Sequence, residues 1–460
     1  MAIERGQFSN RLGFVLAAAG SAVGLGNLVV FPVLAAKNGG AVFLFVYFLF
    51  ALLVCHPVMM AEVALGRHTQ RNPVGAFTAL TGNDRRWYCR LSTMAGPLQG
   101  IRVIELVGQG PGPYGAMILA DLGADVIAIE RPEVAARVNR DRLPTNPMMR
   151  GKRSIALDLK SPTDIATLLD LTDRADVFID PFRPGVCERL GIGPDVVCER
   201  NPRMVYGRMT GWGQDGPLAH TAGHDIDYIS LSGALHLVGY EGQPPTPPIN
   251  LLGDFAGGGL VLAMGVACAV VERFGSGRGQ VIDAAMVDGA AMILGPFFSA
   301  FTNGFWGERG TNHLDGGAHF YNVYETSDHK WVSVGAIEPQ FYAELVHRLG
   351  VSDDALLASA EQNNRGGWAA AKVRMAEVFS SKTRSEWEAI FDGSDACFAP
   401  VLSPSEVATH PHTAARGTVV TINGVVQAQA APRFSRTEAK AGVPCHSGQH
   451  SVDDILSSWA

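Results

Sequence analysis

The sequence predicts an α/β protein with a Rossmann-like parallel sheet in a large domain, a smaller α+β domain, and two transmembrane helices ahead of both. Strands, a glycine-rich turn and helices alternate after residue 100, which is typical of βαβ units and a parallel sheet. Short strands and helices recur in residues 310–402, and two long runs without a charged residue precede residue 62. We therefore expect a two-helix membrane-type segment over residues 1–90, a large domain over 94–285 that residues 425–460 complete, and a small domain over 310–402.

The two uncharged runs, Leu12–Ala36 and Ala41–Ala61, each exceed the ~20 residues that a helix needs to cross a bilayer core. Arginines precede the first run and follow the second, and only Lys37 lies between them. Because basic residues favour the cytoplasmic side, both ends are predicted to lie in the cytoplasm. The rest of the chain is then cytoplasmic, and it is membrane-tethered if this segment is expressed.

Glycines and a proline interrupt the first uncharged run at Gly20–Asn27 and Phe31–Pro32. Such breaks at membrane depth are tolerated where the backbone is buried or lines a site. With Asn38–Gly40 and Gly66–Arg67, these motifs make residues 1–88 resemble the first two helices of the neurotransmitter:sodium symporter family. The later helices of that family are missing, so a fused fragment is favoured over a membrane tether, and a fragmentary transport component is a further alternative.

The predicted elements after residue 100 follow from apolar patterning. β-Branched and apolar residues predict strands at Ile101–Leu106, Asp125–Glu130, Val177–Ile179 and Gln280–Ala285. Apolar periodicity predicts helices at Ala116–Leu122, Asp164–Thr172 and Asp254–Arg273. The small domain is predicted to contain a strand at Trp331–Val334 and helices at Pro339–Leu349, Ala369–Phe379 and Arg384–Phe391, and a last short helix is predicted at Val452–Trp459.

The turn after the first strand, Gly110–Gly115, satisfies the G-x-G-x-x-G pattern of dinucleotide-binding folds, and Glu130 lies at the spacing of a ribose-binding acid. Pro111 and Pro113 have no N–H, so the loop loses donors that would cradle a pyrophosphate. Arg131 directly follows the acid and suits a phosphorylated ribose. The sequence therefore favours a phosphorylated adenine nucleotide such as coenzyme A over NAD.

Composition excludes several classes of function. A net charge of −7 at pH 7 gives no support for a nucleic-acid partner, because such proteins present a basic face. The seven cysteines are scattered and form no C-x-x-C pair. This pattern predicts a reduced setting with neither a disulfide framework nor a zinc site.

Two glycine-flanked turns carry residues suited to proton transfer, His224 within residues 222–228 and Asp254 within residues 250–255. A histidine titrates near neutral pH, and a carboxylate can share its work as a base. Placed on opposite faces of one carbon, the two groups could remove a proton next to a carbonyl and return it from the other side. Structural roles stay open, because a histidine can serve the core and an aspartate before an apolar helix is a good N-cap. The pair predicts a racemase or epimerase.

Many short motifs in residues 94–460 are similar to the class III CoA-transferase family, and within it to its racemases. The matching stretches are Gly110–Pro113, Leu122–Asp125, Arg131–Pro132, Leu157–Lys160, Arg183–Val186, Met209–Trp212, Gly223–Tyr228, Asn250–Phe255, Asp283–Gly289, Asp315–Gly317, Gly335–Tyr342 and Ser394–Val401. The resemblance implies coenzyme A as part of a thioester substrate, without a metal or a redox cofactor. It also implies an interlocked homodimer.

The same resemblance implies a role for each site residue. His224 and Asp254 are the two bases, and the backbone N–H of Asp225 donates to the thioester oxygen. Glu338 orients the histidine from the small domain of the other chain, and Asn250 supports Asp254. Three cations match positions that meet the phosphates or the adenine of coenzyme A: Arg131, Lys160 and Arg183.

One departure from the family pattern lies in the small domain. His319–Phe320 replaces a proline and a tyrosine that are more frequent in the related racemases, and we expect this stretch to lie near the acyl pocket. The predicted function is interconversion of (R)- and (S)-2-methylacyl-CoA thioesters by two-base 1,1-proton transfer through an enolate. The alternative is a class III CoA-transferase, in which an aspartate forms an acyl anhydride and coenzyme A moves between carboxylic acids.

Overall fold

The computed structural model describes residues 96–459. The predicted two-helix segment over residues 1–90 lies outside the described residues. These described residues belong to one compact unit. Within the described part, one helical stretch, Leu251–Ser276, is long and apolar enough to cross a membrane, and it packs against the central sheet.

A six-stranded parallel sheet forms the centre of the molecule, in the order β3-β2-β1-β4-β5-β6. Its strands are β1 Arg102–Leu106, β2 Asp125–Glu130, β3 Lys152–Ala156, β4 Val177–Asp180, β5 Val205–Thr210 and β6 Val281–Ala285. The chain winds outward from β1 to β3 and then from β4 to β6, so the direction reverses between β1 and β4. Ligands in such doubly wound sheets bind beyond the carboxyl ends of the strands at this reversal. The predicted Rossmann-like sheet is confirmed.

Helices cover both faces of the sheet. In chain order they are α1 Pro111–Asp121, α2 Pro132–Ala136, α3 Pro162–Thr172, α4 Val186–Arg189, α5 Pro194–Arg200, α6 Asp225–Leu231, α7 Ala234–Leu237, α8 Val261–Ser276, α9 Met286–Ile293 and α10 Gly295–Thr302. A π-helical segment, Leu251–Leu260, leads directly into α8. Alternate strand residues supply the two cores: Val103 packs with α1 and α8, and its neighbour Ile104 packs with α3 and α5. Burial on both faces explains the continuous apolar runs of the strands.

Strands β3 and β5 were not predicted from the sequence, because each carries a buried charged residue. Lys152 in β3 donates from Nζ to Glu105 Oε2 at 2.6 Å. Arg208 in β5 lies 2.8 Å from Glu188 Oε1 through its NH2 group. A buried charge that is paired is compatible with a central strand, but it breaks the apolar run by which a buried strand is recognised.

A three-stranded antiparallel sheet with its own core lies in the predicted small domain. Its strands are β7 Tyr321–Glu325, β8 Trp331–Gly335 and β9 Phe398–Pro400, and its helices are α11 Pro339–Arg348, α12 Trp368–Phe379 and α13 Arg384–Phe391. The fully buried side chains of Phe320, Tyr342 and Phe379 belong to this core, which shares no buried residue with the cores of the large sheet. Thr383 caps α13 with Glu386 in a capping box, which fixes where that helix begins.

Residues 419–459 return to the large sheet. After α14 Pro411–Arg416, a hairpin of β10 Val419–Ile422 and β11 Val425–Ala428 accepts a 2.7 Å hydrogen bond from Arg150 NH1 at the Ala428 carbonyl. In α15, Val452–Ser458, Ile455 is buried against the strands, and Trp459 Nε1 donates to Asp125 Oδ2 at 2.7 Å. These contacts agree with a large domain that residues 425–460 complete, and the domain boundaries themselves stay a prediction.

Candidate functional site

A cavity of about 330 Å³ opens at the carboxyl ends of β4 and β5, beside the first turns of α1 and α6. Its lining includes His224, Asp254 and Arg183, three of the residues singled out from the sequence. The other lining residues used below are Gly110, Met209, Trp212, Gly223, Tyr228 and Met286. The position matches the binding edge that a doubly wound sheet provides.

His224 stands at the N-cap of α6, in extended backbone geometry with φ −131°. Its backbone N–H donates to Asp227 Oδ2 at 2.9 Å, so a carboxylate of the first turn closes this end of the helix. The residue is exposed and lines the cavity. The imidazole is therefore open to a bound molecule.

Asp254 lies in the first turn of the π-helical segment and is half-buried on the same cavity. Asn250 donates from Nδ2 to Asp254 Oδ2 at 3.0 Å. The carboxylate lies over Gly110, whose φ is +59° and where an added Cβ would meet Asp254 Oδ2 at 2.9 Å. A glycine is required at position 110 by both its backbone conformation and this close approach. The G-x-G-x-x-G turn thus makes room for a carboxylate.

Asp225 joins the two turns that carry the candidate bases. Its Oδ2 accepts hydrogen bonds from the backbone N–H groups of Gly253 at 2.6 Å and Asp254 at 2.7 Å. Burial raises the pKa of this carboxyl, and the two N–H donors oppose that rise. As the first residue of α6, Asp225 has a backbone N–H without an intrahelical acceptor, which leaves it available to a ligand oxygen. Its predicted role toward the thioester oxygen stays a prediction.

Each of the three predicted coenzyme A cations follows a strand of the parallel sheet. Arg131 comes after β2, Lys160 after β3 and Arg183 after β4, and all three are exposed. Because the carboxyl ends of parallel strands share one edge, these cations lie along one rim. Arg183 also lines the cavity, whereas Arg131 and Lys160 lie farther along the rim.

Glu338 is not among the residues that line this cavity in the same chain. It stands exposed at the N-cap of α11, directly before Pro339. Burial and the nearby Glu338 carboxylate raise the pKa of the Cys397 thiol. Its predicted role as the group that orients the histidine of another chain stays a prediction.

The expectation that the His319–Phe320 stretch lies near the acyl pocket stays a prediction, and the structure gives His319 itself a role in the core. The side chain is fully buried in the core of the small domain, with Nε2 2.8 Å from the Tyr342 hydroxyl. That hydroxyl donates to the Leu357 carbonyl at 3.0 Å, so it accepts from the histidine. Burial lowers the pKa of His319 to about 4, which keeps the ring neutral. The residue lines none of the cavities described and serves the core.

Tyr228 and Trp212 line the cavity although no role was predicted for them. Their rings meet edge to face with centroids 4.7 Å apart. Both lie in motifs that match the family, and the spacing of four between His224 and Tyr228 places the two side chains on one face of α6. This spacing is the feature of the sequence from which the place of Tyr228 on the cavity could have been predicted.

These observations define the class of fold and site. The fold is a doubly wound parallel sheet, and the site holds a histidine and a carboxylate at the edge where the winding of the sheet reverses. The chain belongs to the CoA-transferase family III, whose model matches residues 98–451. The sequence-based resemblance to that family is thereby confirmed. A second model, the sodium:neurotransmitter symporter family, matches residues 5–82 and confirms the resemblance noted for the first helices.

Three relatives illustrate the range of this family. The chain is 46% identical over 325 residues to the alpha-methylacyl-CoA racemase of Homo sapiens, covering 70% of this chain and 82% of that protein. It is 31% identical over 346 residues to the acetyl-CoA:oxalate CoA-transferase of Acetobacter aceti, covering 72% of this chain and 87% of that protein. The crystal structure of a CAIB/BAIF family protein from Brucella suis superposes with a TM-score of 0.67 at 25% identity, over 80% of this chain and all of that one.

Proposed function

We propose that this chain is a racemase that interconverts (R)- and (S)-2-methylacyl-CoA thioesters. The observation that carries the proposal is that His224 and Asp254 line one cavity, at the starts of two helical segments that Asp225 ties together. A racemase needs two bases that reach the same carbon, and the position of both side chains on one cavity supports this role for them. The higher identity to a named racemase than to a named transferase also favours it.

The reaction proceeds in two proton transfers. One base, unprotonated, takes the α-proton, and the electron pair of the broken C–H bond moves into the enolate of the thioester. The Asp225 N–H donates to the enolate oxygen, where negative charge develops. The other base, protonated, delivers its proton to the opposite face of the planar carbon. For the other enantiomer, the imidazole and the carboxyl group exchange roles, and no metal or redox cofactor takes part.

Coenzyme A is part of the substrate and lies along the cationic rim. Arg183 belongs to the cavity and also to the rim that continues through Arg131 to Lys160. Cations on one edge suit the phosphate groups of a nucleotide. The thioester end then reaches the cavity, while Met209 and Met286 offer apolar surface to the acyl chain.

The active molecule is an interlocked homodimer, in which the small domain of one chain brings Glu338 to His224 of the other. Glu338 is exposed and lies off the cavity of its own chain, which leaves it free for a partner. A stripe of exposed apolar side chains runs along one face from the π-helical segment through α8: Leu260, Met264, Val271 and Phe274. Stripes of this kind mark contact surfaces. Residues 94–285 with 425–460 form the large domain, and residues 310–402 form the small one.

The catalytic part of the chain works in the cytoplasm, and residues 1–90 tether it to a membrane where they are retained. The match of residues 5–82 to a symporter family supports a membrane-type origin for this segment. A fragmentary transport component is the alternative from another class, and sodium-dependent uptake by the full chain in vesicles would be its signature.

A CoA-transferase remains the second candidate because the family includes relatives with that printed activity. In that reaction Asp254 attacks an acyl-CoA carbonyl, and coenzyme A leaves as the thiolate while an aspartyl anhydride forms. The thiolate then attacks the aspartyl carbonyl, which releases the first acid and leaves an aspartyl-CoA thioester. An acceptor carboxylate attacks that thioester to form a second anhydride, and the displaced thiolate attacks its acceptor acyl carbon, which gives the new acyl-CoA and frees Asp254. The half-buried Asp254 carboxylate on the cavity favours this alternative. His224 has no task in it.

Deuterium uptake distinguishes the two reactions. A 2-methylacyl-CoA is incubated with the full chain in D₂O without any acceptor acid. The racemase exchanges the α-hydrogen and converts either enantiomer to the racemate. Retention of the hydrogen in this incubation, together with passage of coenzyme A to a carboxylate that is added in a second incubation, selects the transferase.

A further inference from the structure

Tyr228 lies one turn after His224 in α6 and faces the same cavity. Its hydroxyl donates a hydrogen bond to the carbonyl of Gly223, the residue directly before the histidine. The side chain is 6% exposed, and its ring packs edge to face on Trp212. An added Cβ on Gly223 would lie 2.8 Å from this ring, so the tyrosine fills the space that the glycine leaves.

The Gly223 carbonyl and the His224 N–H belong to one rigid peptide plane. Tyr228 binds the carbonyl end of that plane, and Asp227 Oδ2 accepts from the N–H end at 2.9 Å. Both polar groups of the plane are thus held by side chains of α6. This peptide plane fixes the orientation of the His224 backbone, and through it the direction in which the imidazole leaves the Cα.

Resting on the proposed function, we propose that Tyr228 is a positioning residue for proton transfer. Its hydroxyl fixes the Gly223–His224 peptide, and through it the approach of the imidazole to the substrate carbon. The hydroxyl is suited to a lasting hydrogen bond, because burial raises the pKa of Tyr228 to about 12 and keeps the phenol protonated.

The test replaces Tyr228 by phenylalanine, which keeps the ring and removes the donor. Tyr324→Phe is the matched control: the Tyr324 hydroxyl donates to the His319 carbonyl at 2.6 Å, also five residues back, in the core of the small domain. In the full chain, Tyr228→Phe is expected to lower kcat about 10- to 100-fold with KM nearly unchanged, since misplacing a base by a fraction of an ångström has effects of this size. Tyr324→Phe keeps wild-type kcat.

Two further readouts separate positioning from a general loss of structure. Incorporation of 4-aminophenylalanine at position 228 restores an N–H donor and is expected to recover most of the lost kcat. The ¹³Cε1 resonance of His224, assigned with a His224→Gln variant, should shift or broaden in Tyr228→Phe and stay in place in Tyr324→Phe. Measuring this resonance requires no turnover. It therefore tests the positioning role even if the wild-type chain exchanges no α-hydrogen and the proposed function is wrong.

Wild-type kcat in Tyr228→Phe, or an unmoved His224 resonance in that variant, would overturn the proposal. So would a kcat that the amino analogue fails to recover in a folded protein. Should Tyr228→Phe unfold, the 4-aminophenylalanine variant decides alone: a wild-type His224 resonance with restored turnover supports positioning, and a displaced resonance contradicts it.

Discussion

The Asp225 carboxylate accepts the backbone N–H of Asp254 at 2.7 Å, across 29 residues of sequence. The same oxygen also accepts the N–H of Gly253 at 2.6 Å. Asp225 directly follows His224, so one side chain ties the turn of the histidine to the turn of the carboxylate. The relative position of the two candidate bases depends on this link.

Replacing Asp225 by alanine should therefore damage both stability and turnover. Two N–H groups at the start of the π-helical segment, one buried and one partly buried, lose their acceptor, which costs about 1–3 kcal/mol of unfolding free energy. Asp225→Asn keeps one oxygen acceptor and should retain most of the stability. Chemical denaturation of both variants measures the difference. An equal free energy of unfolding for Asp225→Ala and the wild type would show that these hydrogen bonds do not stabilise the fold.

Gly110→Ala should displace the Asp254 carboxylate. An added Cβ meets Asp254 Oδ2 at 2.9 Å, at a backbone φ of +59° that alanine also disfavours. Gly100→Ala is the matched control, because Gly100 has φ +89° and no atom within 4 Å of the added Cβ. Both variants should lose about 1–2 kcal/mol through backbone strain. Only Gly110→Ala should also lose turnover, and equal kcat in the two would contradict the proposed place of Asp254.

Co-expression of two inactive variants tests whether Glu338 acts on the other chain. In a heterodimer of His224→Ala and Glu338→Ala, one site carries both changes and the other carries neither. Random pairing gives half heterodimers, each with one intact site, so about a quarter of wild-type activity should return. The matched pair His224→Ala with Asp254→Ala damages every site and should recover nothing. If the first pair also recovers nothing, the interlocked arrangement is refuted.

The buried His319 predicts a loss of stability in mild acid. The pKa of this group is lowered to about 4 in the folded chain, against about 6.5 when unfolded. Above pH 6.5 the histidine is neutral in both the folded and the unfolded chain, so it does not oppose folding. As the pH drops from 6.5 toward 4, the unfolded chain binds a proton at this histidine before the folded chain does, and the free energy of unfolding falls. Between pH 7 and pH 5 the wild type should lose about 2 kcal/mol more than His319→Gln, which keeps a donor for the Tyr342 hydroxyl. Parallel pH dependences in the two proteins would rule this out.

Apolar patterning predicted much of the fold, and it failed where the structure depends on features that no local pattern shows. Asp125–Glu130 and Arg384–Phe391 have the predicted bounds because each combines an unbroken pattern with clear ends. Strands β3 and β5 were missed because Lys152 and Arg208 are buried only by virtue of partners that are remote in sequence. The helix predicted to begin at Asp254 begins at Leu251, in a π-helical segment that no local pattern signals.

The site could be predicted in its residue types but not in its connections. His224 and Asp254 were recognisable from glycine-flanked turns and family motifs, and they line one cavity. The hydrogen bonds of Asp225 and Tyr228 depend on how the turns meet in space, which spacing along the chain does not reveal. The burial of His319 could not be predicted, because its partner, the Tyr342 hydroxyl, lies 23 residues farther along the chain.

The most direct test of the central claim follows each enantiomer separately in D₂O with two single variants, His224→Ala and Asp254→Asn. If an imidazole and a carboxylate act on opposite faces of one carbon, each variant loses racemisation but still exchanges the α-hydrogen of one enantiomer, and the two variants exchange opposite enantiomers. Exchange of the same enantiomer by both variants, or racemisation that survives either change, would contradict the two-base account.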